Sequence, residues 1–422
     1  MFINILQKGV WLLMRQNITV GLLGIQGLYN YGVEAIVRGT YKIVKKVWPI
    51  SNVVLYTNYP NEDKKRIRDL RIEVKKIPPG DFLFFKKITN KIFRTFRFPK
   101  QLFLWDYKQI NNECDIIFSI GGDIYTIPHH MLVRNKGATY NWMVEFGKYI
   151  LKERPLIIWG ASIGPFGEKR EVKNYYFNHL KNVNLIFCRE KQTYEYLKSN
   201  GIYSNTVLYP DPAFFVENIE NINNNCFKKN KKMRIGLNLS PLSIEEQTGK
   251  EGHLLKDDII ASIIEILSLP NLEIFLIPHV ISPYVGDNDL IFLKDIVNAV
   301  PEEFKNSITL LENAEGFLGT KSFLRTCDFV ISARMHCAIN AISEGIPTLF
   351  LVYSQKGWGM AEYIYGNLEW AIPILDIKEK LVGKLIKMIN NRDELTHLIN
   401  ERIKEIKSEE TEIINLLSNI IF

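Results

Sequence analysis

Two stretches of this chain repeat one pattern, short apolar runs alternating with longer amphipathic segments, and this pattern constrains the fold more than any other feature. In the first stretch the apolar runs cover residues 18–23, 53–56, 116–120, 156–159 and 185–188, and amphipathic segments such as 34–47 separate them. Strand-length runs that alternate with helix-length segments predict a parallel sheet with helices on both faces.

The pattern stops at residues 217–232 and then begins again. This segment reads ENIENINNNCFKKNKK, which offers little to bury and predicts a linker. After it the apolar runs return at 234–239, 273–278, 308–311, 329–332 and 348–352. We therefore expect an α/β protein with a Rossmann-like domain over 1–216 and a second over 233–422. The second ends in closing helices near 379–417. Two such halves with parallel sheets facing a cleft have the layout of a GT-B-like fold.

Composition excludes several classes of protein. The 422 residues are 46% apolar and 23% charged, with a formal net charge of +7, which suits two or three globular domains. The charges are interleaved, so the sequence predicts no nucleic-acid partner. Five scattered cysteines without a C-x-x-C spacing predict reduced, buried thiols in a cytoplasmic protein. No apolar run is long enough to span a membrane, and residues 2–14 do not resemble a secretory signal.

Polar side chains follow the apolar runs, at the strand ends where open α/β sheets bind ligands. Asp123, Ser162 and Arg189 follow runs of the first half, and His279 and Arg334 follow runs of the second. Together they predict one cleft rimmed from both halves. Alternatives remain for each: Asp123 is also a candidate helix cap, Arg189 a surface ion pair, and His279 a packed loop histidine.

The segment Arg334-Met335-His336 is the best single candidate site. It lies between the predicted strand 329–332 and a predicted helix over 337–343, where free N–H groups and the helix dipole favour an anion. Arginine offers a bidentate fork for phosphate or carboxylate, and histidine exchanges a proton near neutral pH. A surface arginine beside a helix-capping histidine is the alternative. The adjacent pair His129-His130 lacks a third ligand, so no metal is predicted.

The glycine-rich loop 24–34 and the basic segment 82–105 complete the candidates. The loop joins a strand to a helix, and a tight turn and an anion site explain it equally well. The segment 82–105 interleaves aromatic and aliphatic residues with six basic ones. This mixture is typical of a helix lying on an anionic membrane; the alternative is a basic helix docked on its own domain.

Taken in order, these motifs resemble one family, the polysaccharide pyruvyl transferases, over about residues 24–357. The motifs are Asn30-Tyr31-Gly32-Val33-Glu34-Ala35, Gly121-Gly122-Asp123, Gly160-Ala161-Ser162-Ile163-Gly164-Pro165-Phe166, Arg189-Glu190 with Thr193, Asp211-Pro212-Ala213-Phe214, Pro278-His279 with Asp287-Asn288-Asp289, Arg334-Met335-His336, Gly345-Ile346-Pro347 and Tyr353-Ser354-Gln355-Lys356.

The resemblance implies a GT-B-like transferase that takes phosphoenolpyruvate as co-substrate, without a further cofactor, and forms a pyruvyl ketal on a sugar diol. It assigns Arg189 and Arg334 to the phosphate and carboxylate of the donor and gives His336 the proton transfer, with Arg334 and Asp123 also catalytic. We further expect Ser162, His279 and Lys356 on the donor side, and Asn30, Glu34 and Asp123 on the acceptor side.

The implied acceptor is a saccharide of a cell-surface polysaccharide or its precursor, which can be lipid-linked. A cytoplasmic enzyme at the inner face of the membrane would meet such an acceptor. The rival interpretation is a GT-B glycosyltransferase using a nucleotide sugar, with Glu344 binding the ribose. A binding module without turnover is the third.

Overall fold

The computed structural model describes residues 18–95, 101–127, 131–132, 138–216, 232–248, 252–312 and 316–420. The chain divides into two units. The first takes in residues up to Leu28, Ile36–Pro212 and the chain from Glu409 onward, and the second takes in Tyr29–Ala35 and Ala213–Ser408. Of the expected linker 217–232, all but Lys232 lies outside the described residues.

Two short segments pack with the unit opposite to the one expected from their place in the sequence. Residues 29–35 belong with the second unit because their backbone pairs there: Tyr31 N–H donates to the His279 carbonyl at 3.0 Å, and Ile281 N–H donates to the Tyr29 carbonyl at 3.0 Å. The segment from Glu409 onward belongs with the first unit. The expected boundaries therefore miss two excursions of the chain.

The first unit is built on a seven-stranded sheet in which all neighbours pair in parallel. Its strands are β1 (Thr19–Leu23), β2 (Asn52–Thr57), β3 (Glu73–Lys76), β4 (Ile116–Ser119), β5 (Leu156–Ala161), β6 (Leu185–Cys188) and β7 (Thr206–Leu208), in the order β3-β2-β1-β4-β5-β6-β7. Strands β4 and β5 are buried at every position, as expected where helices cover both faces of a parallel sheet.

Within the described residues, seven helices lie between these strands in chain order. They are α1 (Tyr31–Val47), α2 (Pro60–Arg66), α3 (Leu83–Thr95), α4 (Tyr107–Glu113), α5 (Trp142–Ile150), α6 (Arg170–Leu180) and α7 (Lys191–Ser199). Helices α4 and α5 begin with side-chain caps that the sequence supplies. Asp106 accepts from the N–H groups of Lys108 and Gln109, and Asn141 caps α5 in the same way, which satisfies otherwise orphaned donors.

The second unit repeats the plan with a six-stranded parallel sheet. Its strands are β8 (Met233–Asn238), β9 (Leu272–Leu276), β10 (Ile308–Leu310), β11 (Phe329–Ser332), β12 (Thr348–Val352) and β13 (Ala371–Pro373), in the order β10-β9-β8-β11-β12-β13. Its helices are α8 (Pro241–Thr248), α9 (Gly252–Leu267), α10 (Asp289–Ala299), α11 (Gly316–Leu324), α12 (Met335–Ile342), α13 (Gln355–Tyr365), α14 (Ile377–Asn390) and α15 (Arg392–Ser408).

The last helix, α16 (Glu410–Ser418), packs with the first unit. Ile413 and Leu417 of this helix are buried. Lys46 Nζ lies 2.5 Å from Glu410 Oε1, and the Tyr209 side chain hydrogen-bonds Glu412. The helix is therefore an integral part of a unit whose sheet ends two hundred residues earlier.

In each sheet the chain starts near the middle, builds outward to one edge, and then crosses back to build the other half. The switch points lie between β1 and β4 in the first unit and between β8 and β11 in the second. In open α/β sheets, ligands bind at such points, beyond the carboxyl ends of the strands. The predicted pair of Rossmann-like parallel sheets is confirmed, and the predicted cleft stays a prediction.

The described cysteines and helices agree with the composition. Cys114, Cys188, Cys327 and Cys337 are buried free thiols, and burial raises the pKa of Cys114 to about 11 and of Cys337 to about 12. Within the described ranges, each helix is too short or too polar to cross a membrane.

Candidate active site

In the first unit, three neighbouring strands deliver polar residues to one buried arginine. Arg189 follows β6, Ser162 follows β5, and Gly122 and Asp123 come shortly after β4. Since these strands are adjacent and parallel, their carboxyl ends meet at one edge of the sheet. Arg189 is only 1% exposed.

Every nitrogen of the Arg189 guanidinium has a protein partner. Nε donates to Ser162 Oγ at 3.2 Å, and Nη1 donates to Asp211 Oδ2 at 3.1 Å. Nη2 donates to Asp123 Oδ1 at 3.1 Å, to Ser162 Oγ at 2.9 Å and to the Gly122 carbonyl at 3.3 Å. Glu190 adds a third carboxylate, with Oε2 3.4 Å from Nε.

The cation is thus neutralised within the first unit. Burial alone lowers the pKa of Arg189, but Asp211, Glu190 and Asp123 together hold the pKa above its ordinary value. Asp123 differs from the other carboxylates because its side chain is 54% exposed. The arrangement presents one oriented carboxylate at the surface, backed by a buried arginine.

Gly122 is required by this arrangement. A Cβ at this position would lie 2.6 Å from Arg189 Nη1, closer than nonbonded atoms approach. Gly122 therefore lets the guanidinium pass beside the backbone, which is a packing reason for this glycine of the motif.

In the second unit, Arg334 lies at the start of α12, directly beyond β11. Asn238, the last residue of β8, holds its backbone: Asn238 Oδ1 accepts from Arg334 N–H at 2.9 Å and from the Ser332 hydroxyl at 3.1 Å. Arg334 Nε donates to Asp289 Oδ1 at 3.2 Å, and Nη2 donates to Asp289 Oδ1 at 2.8 Å and to Asp287 Oδ1 at 2.6 Å.

Arg334 differs from Arg189 in the number of guanidinium nitrogens that have a hydrogen-bond partner. Its Nη1 makes no hydrogen bond with any part of the chain that the structure describes, and its side chain is 10% exposed. Burial alone lowers the pKa of Arg334, but Asp289 and Asp287 outweigh burial and raise the pKa above its ordinary value. Arg334 is therefore a fixed cation whose Nη1 donors are not used within the described residues.

Asp289 is the anchor of this cluster. It is fully buried, and its Oδ2 accepts from the backbone N–H groups of His279 and Val280, each at 3.0 Å. The opposite oxygen accepts from Arg334. Two backbone donors and one guanidinium fix the carboxylate, so Asp289 sets the position of the arginine and of the His279 loop together.

His279 is buried rather than open to a ligand. It is 1% exposed, and its Nε2 lies 3.1 Å from Asn340 Nδ2. Burial lowers the pKa of His279 well below its ordinary value, and the nearby His336 and Arg334 lower it further. His279 is thus an uncharged imidazole that packs against Tyr31, with ring centroids 5.8 Å apart. Contact of His279 with the donor stays a prediction. The burial of His279 does not favour it.

His336 occupies the first turn of α12 and is half-buried. Gly32 of the 29–35 segment lies directly against it: a Cβ at Gly32 would approach Cβ, Cγ and Nδ1 of His336 to 2.6 Å. The glycine of the N-Y-G motif therefore leaves room for the imidazole. This contact brings the loop and the R-x-H motif together, which the sequence did not predict.

The remaining expected residues have the following positions. Asn30 caps α1, its Oδ1 accepting from Gly32 N–H at 2.9 Å, and Glu34 is buried in the first turn of that helix. Lys356 is half-buried in the first turn of α13, and Ser162 is buried against Arg189. The acceptor roles of Asn30 and Glu34 and the donor roles of Ser162 and Lys356 stay predictions.

Glu344, the candidate ribose ligand of the rival interpretation, is engaged elsewhere. It is nearly buried, with Oε1 2.9 Å from Lys321 Nζ and Oε2 3.1 Å from Arg325 Nε. Both carboxylate oxygens face cations of α11 and the turn after it, which favours a structural role.

No group of three or more His, Cys, Asp or Glu side chains is arranged to hold a metal ion within the described ranges. The pair His129-His130 lies outside them. The two clusters supply oriented carboxylates, an arginine with unused Nη1 donors and a half-buried histidine.

The motifs also match a known family as a whole. The family model of polysaccharide pyruvyl transferase matches residues 30–355, a span that begins at Asn30 and includes both arginine clusters. This chain belongs to that family. The resemblance seen in the motifs is confirmed, and the chain is a member of a transferase family of polysaccharide biosynthesis. No curated protein matches the chain in sequence.

Solved structures that resemble this pyruvyl transferase family member support its fold. UDP-GlcNAc 2-epimerase from Neisseria meningitidis, bound to UDP-GlcNAc, is 13% identical with a TM-score of 0.59, and the match covers 94% of this chain and 99% of that one. A putative UDP-N-acetylglucosamine 2-epimerase from Listeria monocytogenes is 14% identical with a TM-score of 0.57, covering 94% and 97%.

A third similar structure is HepE from Anabaena in complex with UDP and glucose. It is 11% identical with a TM-score of 0.56, and the match covers 96% of this chain and all of that one. At these identities the likeness carries the fold alone, and it confirms the predicted GT-B-like class.

Proposed function

We propose that this protein transfers the pyruvyl group of phosphoenolpyruvate to two hydroxyls of a saccharide, forming a cyclic ketal and inorganic phosphate. The observation that carries the proposal is Arg334. It combines a buried, fixed guanidinium, an open Nη1 edge and a position at the start of α12. Arginine and a helix N-terminus both favour phosphate or carboxylate, and phosphoenolpyruvate carries both groups.

His336 is the proposed proton donor because it lies two residues from Arg334, in the first turn of the same helix. A proton passes from His336 to the methylene carbon of the donor, which makes the adjacent carbon electrophilic. One sugar hydroxyl adds to that carbon, the bond to the phosphate oxygen breaks, and the second hydroxyl closes the ketal. The two hydroxyl protons restore His336 and neutralise the departing phosphate. General acid catalysis of this kind contributes about 10²- to 10⁴-fold.

Asp123 is the proposed contact of the acceptor. Its carboxylate is half exposed and is held at 3.1 Å by Arg189 Nη2, so it is oriented to accept a hydrogen bond from a sugar hydroxyl. All three guanidinium nitrogens of Arg189 already have protein partners, which does not favour the predicted donor-binding role. That role stays a prediction. In the proposal Arg189 is mainly the positioning residue of Asp123.

The proposed acceptor is a cell-surface saccharide, an exopolysaccharide or its lipid-linked precursor, met in the cytoplasm at the inner face of the membrane. The family supports a saccharide acceptor. The lipid linkage and the location are part of the proposal.

A thermal-shift series tests the donor. Phosphoenolpyruvate at about a hundred times its dissociation constant should raise the melting temperature by roughly 5 to 10 °C. Arg334→Lys keeps the charge but loses the fork, so it should lose most of that shift. Arg402→Lys, in α15 and paired with Glu405, is the matched control and should keep it.

A turnover assay separates proton transfer from binding. His336→Gln should retain the thermal shift with phosphoenolpyruvate and lose about 10²-fold or more in phosphate release with a polysaccharide acceptor. Near-normal release by His336→Gln would exclude the proton-transfer role.

A nucleotide sugar is the second candidate donor, because two of the similar structures are complexes with UDP-GlcNAc or with UDP and glucose. A thermal shift with UDP-sugars and none with phosphoenolpyruvate would favour glycosyl transfer instead. The ion pairs of Glu344 with Lys321 and Arg325 argue against its proposed ribose contact.

A further inference from the structure

Helix α3 of the first unit exposes its apolar side chains to solvent. Phe84 is 70% exposed and Phe85 67%, and Phe82, just before the helix, is 77% exposed. Ile88 and Ile92 continue the face, each more than two-fifths exposed. Scattered surface hydrophobics are ordinary, but a contiguous apolar face of this kind marks an interaction surface.

The opposite face of α3 is anchored by a polar residue. Asn90 is buried, and its side chain donates to the Leu102 carbonyl at 2.8 Å and accepts from Leu102 N–H at 2.6 Å. These two bonds tie the helix to the backbone at Leu102. The amphipathic helix is therefore oriented with its apolar stripe outward, the reverse of a helix docked on its own core.

The helical period places the exposed residues together. At 100° per residue, Phe84, Ile88, Ile92 and Phe85 fall within about one quarter to one third of the circumference. Lys91 and Lys87 follow on one border of this stripe, and both are exposed. The face is therefore apolar at its centre and cationic at its margin.

The positive charge of the surrounding segment indicates which kind of partner fits this face. Residues 82–105 contain Lys86, Lys87, Lys91, Arg94, Arg97 and Lys100 and no acidic residue. A protein partner with this footprint would need an apolar groove with an acidic border. An anionic lipid surface supplies an apolar interior and a negative headgroup layer at the depth that a helix with lysines at its margin matches.

We propose that the outer face of α3, with Phe82 at its start, docks the protein on an anionic membrane surface. The aromatic and isoleucine side chains enter the boundary between headgroups and acyl chains, and Lys87 and Lys91 lie among the headgroups. The inference does not depend on the identity of the donor, and it extends the proposed function by naming the surface on which a lipid-linked acceptor would be met.

Vesicle co-sedimentation of the full chain, without donor or acceptor, tests the proposal. Phosphatidylcholine vesicles with phosphatidylglycerol should bind the protein, and vesicles of phosphatidylcholine alone should bind it at least roughly tenfold more weakly. The combined variant Phe84→Ser, Phe85→Ser and Ile88→Ser should lose binding to both. Tyr203→Ser, which removes a 66% exposed aromatic elsewhere in the first unit, should bind like the native protein.

A charge variant tests the margin separately. Lys87→Glu with Lys91→Glu should weaken binding to the anionic vesicles by roughly tenfold or more. Lys64→Glu with Lys65→Glu, on exposed positions of α2, makes the same charge change away from the face and should weaken binding much less. Because all of these side chains are exposed, unchanged melting temperatures should accompany every variant.

Two results would overturn the proposal. In the first, the triple variant sediments with anionic vesicles as well as the native protein. In the second, the native protein does not bind vesicles but forms a dimer, or a complex with a soluble protein, and the triple variant does not form it. Neither result bears on phosphoenolpyruvate binding, which the thermal-shift series measures independently.

Discussion

Replacing Gly32 with alanine tests whether the loop and His336 form one packed unit. Gly32 lies in the first turn of α1, where alanine is ordinarily better than glycine by about 0.5 to 1 kcal/mol. Here the added methyl group would meet three atoms of His336 at 2.6 Å. Overpacking of this kind costs about 1 to 3 kcal/mol, so the balance is a loss of about 1 to 2 kcal/mol.

Alanine at Gly32 should lower the stability of the protein, whereas alanine at a matched control position, Gly383, should raise it. Gly383 lies exposed in α14, and a Cβ there would meet no atom within 4 Å, so Gly383→Ala should raise stability by about 0.5 to 1 kcal/mol. Gly32→Ala should lower the melting temperature by roughly 2 to 8 °C. If the imidazole of His336 shifts to make room for the methyl group, turnover should also fall, since a misplacement of about 1 Å can lower the rate 10²-fold.

Urea unfolding of the three proteins, followed by phosphate release with phosphoenolpyruvate and acceptor, gives both quantities. Equal stabilisation by Gly32→Ala and Gly383→Ala, with turnover unchanged, would refute the packing argument.

Two further perturbations follow from the buried charges. Arg189→Met leaves the carboxylates of Asp211 and Glu190 buried without their cation and should lower the free energy of unfolding by about 3 to 5 kcal/mol, measured by urea unfolding. A loss under about 1 kcal/mol would show that Arg189 does not stabilise these buried carboxylates. Burial lowers the pKa of His179 to about 3, so the folded state stays neutral while the unfolded chain takes up a proton below about pH 6.5. The stability that His179 provides is therefore present above pH 6.5 and is lost as the pH falls toward 3, about 2 kcal/mol of it by pH 5. His179→Leu should flatten that slope, measured by urea unfolding at several pH values.

Buried parallel strands were predictable because they are continuous apolar runs. The strands 329–332 and 348–352 begin and end where the sequence indicates, and each lies in the middle of a sheet. Strand β3, which reads Glu-Val-Lys-Lys, was missed because it is a polar edge strand whose one strand neighbour is β2. Local patterning carries no sign of such pairing.

The sequence predicted which residues lie at the candidate site, but not which of their hydrogen-bond donors are already occupied. Strand ends identified Arg189 and Arg334, since topology alone brings such residues to one edge of a sheet. Which donors of an arginine are occupied depends on residues distant in sequence, such as Asp289 for Arg334. The periodicity of α3 likewise predicted an amphipathic helix, but the direction of its apolar face is decided by Asn90 and Leu102.

The position of α16 has a consequence for how the protein is made. Domains usually fold in order as the chain leaves the ribosome, the N-terminal one first. Here Ile413 and Leu417 complete the core of the first unit, and Glu412 bonds Tyr209 beside its last strand. The unit whose sheet comes first along the chain is therefore completed last. We expect the apolar surface that α16 covers to stay exposed during translation until residues 410–418 have left the ribosome.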